Sequence, residues 1–90
     1  MMRDLITTSV FKKDIKRAKN RDKDLQKIFA IIDRLLNNHP LERSHKAHKL
    51  TGNMAPYHEC HIEPDWLLIW DENDQEITLV RTGSHADLFP

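Results

Sequence analysis

The hydrophobic period of this chain changes once, and that change sets what it can fold into. Up to about residue 38, apolar side chains recur every three or four positions. From residue 57 onward they alternate or run together. The first pattern places one apolar stripe along a helix, and the second places apolar residues on one or both faces of a strand. Helices followed by strands, with no βα alternation, read as α+β.

Val10, Phe11, Ile15 and Ala18 mark a first helix from Ser9 to about Arg21, with Thr8 or Ser9 as its N-cap. Leu25, Ile28, Phe29, Ile32, Leu35 and Leu36 mark a second, capped by Asp22 and running to about Asn38. Asn37-Asn38-His39-Pro40 stops it, because the residue before proline avoids the helical region. The short connection makes the pair an antiparallel hairpin.

Strands are expected at Arg3 to Thr7, His48 to Leu50, Tyr57 to Ile62, Trp66 to Trp70 and Ile77 to Arg81. Glu63-Pro64-Asp65 and residues 71–75 read as tight turns, and Thr82-Gly83 as the end of the last strand. Trp66 to Trp70 is apolar throughout, so it belongs at the centre of the sheet. Ile77, Leu79 and Arg81 would share a face. The expected fold is a two-helix hairpin on one face of a small, mostly antiparallel sheet of four to five strands, in the order β-α-α-β-β-β. The other face is left for a site.

Ninety residues make one domain, spanning 1–90. The single cysteine, Cys60, excludes a disulfide framework and suits a reducing, cytoplasmic setting. A charge pair near the start stands where a signal peptide needs an apolar run, and nothing has the length of a membrane span. The net charge is zero, but residues 1–50 carry 13 Lys and Arg against 6 Asp and Glu, whereas residues 51–90 carry 1 against 8. A neutral chain is unsuited to gripping free nucleic acid. One basic face still permits docking on a larger assembly.

The last third holds the chemistry. His61 closes one strand and Asp65 opens the next. Arg81 ends the third, and His85 follows four residues later. Short turns make these strands neighbours, so the four side chains gather at one end of the sheet. Imidazoles near a carboxylate and a guanidinium suit transfer at phosphorus. RNA scission needs a base for the ribose 2′-OH, a cation for the charge growing on the phosphoryl oxygens, and an acid for the leaving 5′-oxygen. Each positioned acid or base contributes about 10²–10⁴-fold, and preorganised charge often contributes more. This chemistry calls for no metal or other cofactor. A zinc site built from His48, His61 and His85 would sit beside a repelling arginine. His39 and His45 read as solvated, His58 as packing or surface on the opposite face from His61, and Cys60 as a small buried residue.

Three stretches carry a resemblance: His48-Lys49-Leu50-Thr51-Gly52, then His58-Glu59-Cys60-His61-Ile62-Glu63-Pro64-Asp65-Trp66, then Arg81-Thr82-Gly83-Ser84-His85-Ala86-Asp87-Leu88-Phe89. Together they resemble the YafQ branch of the RelE/ParE toxin superfamily, over essentially the whole chain. The resemblance implies a bacterial type II toxin, a ribosome-dependent mRNA endonuclease neutralised by a DinJ-like antitoxin. It assigns His48, His61, Asp65 and His85 to acid–base roles and Arg81 to the phosphate. His85 is then the acid and Asp65 or His61 the base. Trp66, Phe89 and Lys49 become substrate-binding positions, with aromatic stacking worth ~1–3 kcal/mol per base. Lys12, Lys13, Lys16, Arg17 and Lys19 are expected on an exposed helix face that meets ribosomal RNA. Neutral net charge fits an enzyme whose message is already held by the ribosome. A ParE-like gyrase-binding toxin, or an inactive antitoxin-binding homologue, is the alternative.

Overall fold

The Thr8 side chain accepts a hydrogen bond from the Phe11 N–H at 3.0 Å, so the first helix, α1 (Ser9–Asn20), starts where the sequence places its cap. The second, α2 (Leu25–Leu36), starts later than expected. Its cap is Asp24, which accepts from the Gln26 N–H at 3.0 Å. Asp22 lies in the left-handed region, at φ 59°, and turns the chain between the helices; aspartate tolerates that conformation better than most residues. These features belong to a computed structural model that describes residues 2–90. Among the described residues no helix is long and apolar enough to cross a membrane.

Five strands form one sheet: β1 (Asp4–Thr7), β2 (His48–Lys49), β3 (His58–Glu63), β4 (Trp66–Glu72) and β5 (Glu76–Gly83). Their spatial order is β1-β5-β4-β3-β2. β1 runs parallel to β5, and the other neighbours are antiparallel. A four-residue helix, α3 (His85–Leu88), follows β5 directly. The fold is the expected α+β arrangement. β4 and β5 run further than expected, so Asp71-Glu72 and Thr82-Gly83 lie within strands.

The helix pair buries one face of the sheet. Phe11, Ala18, Ile28, Ile31, Ile32 and Leu35 pack against Cys60, Ile62, Trp66, Leu68, Trp70, Ile77 and Leu79. Burying a large aliphatic side chain is worth about 1.5–3 kcal/mol, so this layer is the main source of stability. By alternation Leu67 and Ile69 belong to the opposite face, yet both are fully buried. They form the floor of the site.

One irregularity changes the side chain that faces each layer. Ile69 pairs with Arg81 but Trp70 pairs with Leu79, which leaves Val80 unopposed as a β-bulge. The extra residue inverts the alternation. Ile77 and Leu79 face the helices, but the next core-facing residue is Thr82, fully buried, rather than Arg81. The expectation that Ile77, Leu79 and Arg81 share a face fails at Arg81 for this reason.

Candidate active site

Strand register collects the candidate residues on the face opposite the helices. His61 pairs with Leu67, which pairs with Gly83 on its other side. Glu59 pairs with Ile69, which pairs with Arg81. Strands spaced about 4.8 Å apart put the ends of each row about 10 Å apart. His48 extends the second row, because it pairs with Glu59 from β2.

The Pro64-Asp65 turn and α3 bring the second imidazole to the first row. The Asp65 carboxylate accepts both the backbone N–H of His85 and its ring Nδ1, each at 2.9 Å. Those two bonds, the backbone one foremost, hold Asp65 below the usual carboxylate range. An ionised Asp65 requires a proton on His85 Nδ1. Nδ1 of His61 lies 3.2 Å from the Pro64 carbonyl, which can only accept, so that nitrogen carries the proton. Both rings therefore have their Nε2 free of protein partners among the described residues. Their centroids are 5.9 Å apart. The Phe89 ring lies 6.4 Å from His85 and is 43% exposed, so it is open to a base.

Arg81 is anchored as well. Its Nε donates to Asp14 Oδ2 at 2.7 Å and its Nη2 to Asp14 Oδ1 at 3.2 Å. Asp14 Oδ2 also accepts the Thr82 N–H at 3.1 Å. The Asp14 hydrogen bonds raise the guanidinium's pKa, so Arg81 stays cationic. Two of its donors point at Asp14, and the rest of the fork is free for a phosphate.

His48 is held from both sides. Nδ1 lies 2.7 Å from the Lys46 carbonyl and Nε2 lies 3.3 Å from Glu59 Oε1. The other oxygen of Glu59 is buried with no hydrogen-bond partner among the described residues. A buried carboxylate without full hydrogen bonding is costly, and Glu59 lies between His48 and the row that ends at Arg81.

Comparisons with known proteins show the family. The model of one family, described as bacterial toxin of type II toxin–antitoxin system, YafQ, matches residues 3–90. The mRNA interferase toxin YafQ of Escherichia coli (strain K12) is 39% identical over 90 residues, covering 99% of this chain and 98% of that protein. The toxin fold in the crystal structure of the E. coli DinJ–YafQ toxin–antitoxin complex superposes with a TM-score of 0.92 at 38% identity, over 100% of both chains. YafQ from E. coli strain BL21(DE3) gives 0.93 at 38% identity, over 98% of this chain and 99% of that one. The chain belongs to the YafQ toxin family.

In this member of the YafQ family, several expected site residues fall elsewhere. Trp66 is 1% exposed. Its indole N–H donates to Thr82 Oγ1 at 3.0 Å, and Lys23 lies 5.6 Å from the ring centroid. It faces the helices as core and offers no face to a base. Lys49 pairs with His58, which stacks on Trp70 at 5.5 Å, so Lys49 is on the helix-bearing side. Arg17 is committed to Asp14 at 2.9 Å and Asp87 at 3.7 Å, unlike the exposed Lys12, Lys13, Lys16 and Lys19.

Three residues of this YafQ-family site were not expected from the sequence. Asp14 did leave a signal: it is the acid among the basic residues of α1, and it falls at i+3 from Phe11 on the buried stripe. Glu59 alternates with His61 and so shares its face. His45, read as solvated, is half-buried, with Nδ1 2.8 Å from the His61 carbonyl. No periodicity announces that long-range bond.

Proposed function

We propose that this toxin is a ribosome-dependent endoribonuclease that cuts translated mRNA by acid–base catalysis and so arrests translation. The observation that carries this reading is the pair of imidazoles, His61 and His85, 5.9 Å apart, each with Nδ1 committed to a fixed acceptor. Fixing Nδ1 assigns the chemistry to Nε2 in both rings.

Asp65 is already engaged by His85, so the base is His61. Its neutral Nε2 takes the proton of the ribose 2′-OH. The 2′-oxygen attacks phosphorus and the bond to the 5′-oxygen breaks. His85, as imidazolium backed by Asp65, gives its Nε2 proton to that oxygen. The products are a 2′,3′-cyclic phosphate end and a 5′-hydroxyl end. Arg81 faces the charge that builds on the phosphoryl oxygens, with His48 in the same row of the sheet. Groups aimed at developing charge in advance contribute most to such a reaction. Phe89 stacks on a neighbouring base. The proton inventory closes on protein side chains.

The exposed lysines of α1 serve as the ribosome contact, and the ribosome holds the message in place. A DinJ-like antitoxin neutralises the toxin, and both act in the cytoplasm. The test is to induce the chain and its His85→Ala variant and map new transcript ends. Fresh ends within translated messages, absent with His85→Ala, are expected. Intact messages accompanied by DNA breaks would reassign the protein to gyrase poisoning.

A further inference from the structure

Helix α3 has four residues. A helix that short has no stability of its own. It contributes no buried residue to the core. His85 nevertheless has to stay in register with His61 and Arg81, so something outside the core must hold it.

Asp65 holds His85 itself, and Asp87 holds the helix that carries it. Asp87 Oδ2 accepts the Ser84 N–H at 3.0 Å, while the Asp87 N–H donates to Ser84 Oγ at 3.1 Å, forming a capping box. The same carboxylate binds Arg21 through two bonds, 2.7 and 3.3 Å, and lies 3.7 Å from Arg17. Arg17 in turn binds Asp14, and Asp14 binds Arg81. A continuous chain of charges, Arg21–Asp87–Arg17–Asp14–Arg81, thus runs from the tail helix across α1 to the phosphate-binding guanidinium. Gly83 lets it close. A Cβ there would lie 3.0 Å from Asp87 and 3.2 Å from the Arg17 Nη2.

We propose that Asp87 is a positioning residue: through Arg17, Asp14 and Arg21 it fixes the separation between the His85 imidazole and the Arg81 guanidinium. This rests on the proposed nuclease reading and adds to it. α1 becomes a common mount for the acid and the phosphate cation, which otherwise sit on a terminal helix and a bulged strand. Asp87 itself touches no reacting atom.

The test compares the native chain with Asp87→Asn, which keeps the shape of the cap and removes the charge. Two quantities are read: the single-turnover cleavage rate on translating ribosomes at saturating toxin, and hydrogen exchange at the His85 and Phe89 amides. Asp87→Asn should lower the saturated rate by about 10–100-fold, the cost of a misplaced catalytic group, with half-saturation changed less than about twofold. Both amides should exchange faster. Asp87→Glu, a natural capping-box residue that restores the charge, should recover most of the rate. Should Asp87→Asn fail to fold, Arg17→Gln, which removes the link between Asp87 and Asp14, cuts the chain between the tail helix and Arg81.

An unchanged saturated rate, a loss confined to half-saturation, or a Glu variant as slow as the Asn variant would overturn the proposal. If the native chain cuts no message, the nuclease reading falls. The exchange measurement then decides the clamp alone, and equal protection in native and Asn chains would overturn it.

Discussion

At the scale of single residues, the site depends on which nitrogen of each ring is occupied. The Pro64 carbonyl and the Asp65 carboxylate make that choice for His61 and His85. They differ in kind: a carbonyl orients a neutral ring, while a carboxylate also stabilises the imidazolium. In the proposed reaction this difference separates the two histidines into base and acid, with His61 half-buried and His85 exposed. Asp65 should reveal itself by acid titration. Its folded-state pKa lies below the usual aspartate value, so its contribution to tail order is fully present above about pH 4. It is lost as pH falls through the lowered folded value. The His85 amide resonance, followed from pH 6 to pH 2, should hold its position to about pH 4 and move only below that. A carboxylate transition at or above the ordinary value would show that Asp65 does not hold the tail. Cys60 takes no part in this chemistry. Burial, then the neighbouring Glu59, pushes its thiol up to about 12, so it stays protonated.

At the scale of elements, α1 combines packing with positioning, and Asp14 is the pivot. It is 3% exposed and accepts from Arg81, Arg17 and the Thr82 N–H on the edge of β5 beyond the reach of β1. Asp14→Ala leaves that buried N–H without an acceptor, which should cost about 1–3 kcal/mol in urea unfolding. A midpoint equal to that of the native chain would mean that water replaces Asp14 at no cost. The limits of sequence reading show at the same place. Both helices were legible because a 3.6-residue stripe has one way to be buried. The central strand was legible because Trp66 to Trp70 is apolar on both faces. The Val80 bulge was not, since no glycine or proline marks it, and it alone moves Arg81 off the core face. Asp22 and Asp24 are equally good caps by residue type, and only the turn geometry chooses Asp24. His61, Asp65 and His85 were legible as a group because short turns force strand ends together. Trp66 was misplaced because the partner of its indole, Thr82, lies 16 residues away across the sheet.

At the scale of the whole molecule, folding cancels part of the charge asymmetry between the two halves of the sequence. Arg3 meets Glu72, Lys23 and Lys27 meet Glu63, and Arg17 and Arg21 meet Asp87. Each pair joins a basic residue of the first half to an acidic residue of the sheet or tail. What remains uncancelled is therefore more informative than the total. Lys12, Lys13, Lys16 and Lys19 are exposed, and none of them forms an ion pair among the described residues. Arg43, Lys46 and Lys49 are likewise exposed and without an ion pair among the described residues; the α1 lysines are the positive face proposed to meet ribosomal RNA. Phosphate contacts release counterions, so binding that uses these lysines must weaken as salt rises. Reversing Lys12, Lys13 and Lys19 to Glu should lower ribosome affinity. It should also flatten the plot of log affinity against log salt, by roughly 0.7–0.9 for each lysine that had met a phosphate. Substitutions at Lys23 and Lys27, whose charges are spent on Glu63, should leave that slope alone. Co-sedimentation with ribosomes across a salt series measures both. An equal slope in the native and triply reversed chains would assign these lysines to solvent and leave the ribosome contact to another face.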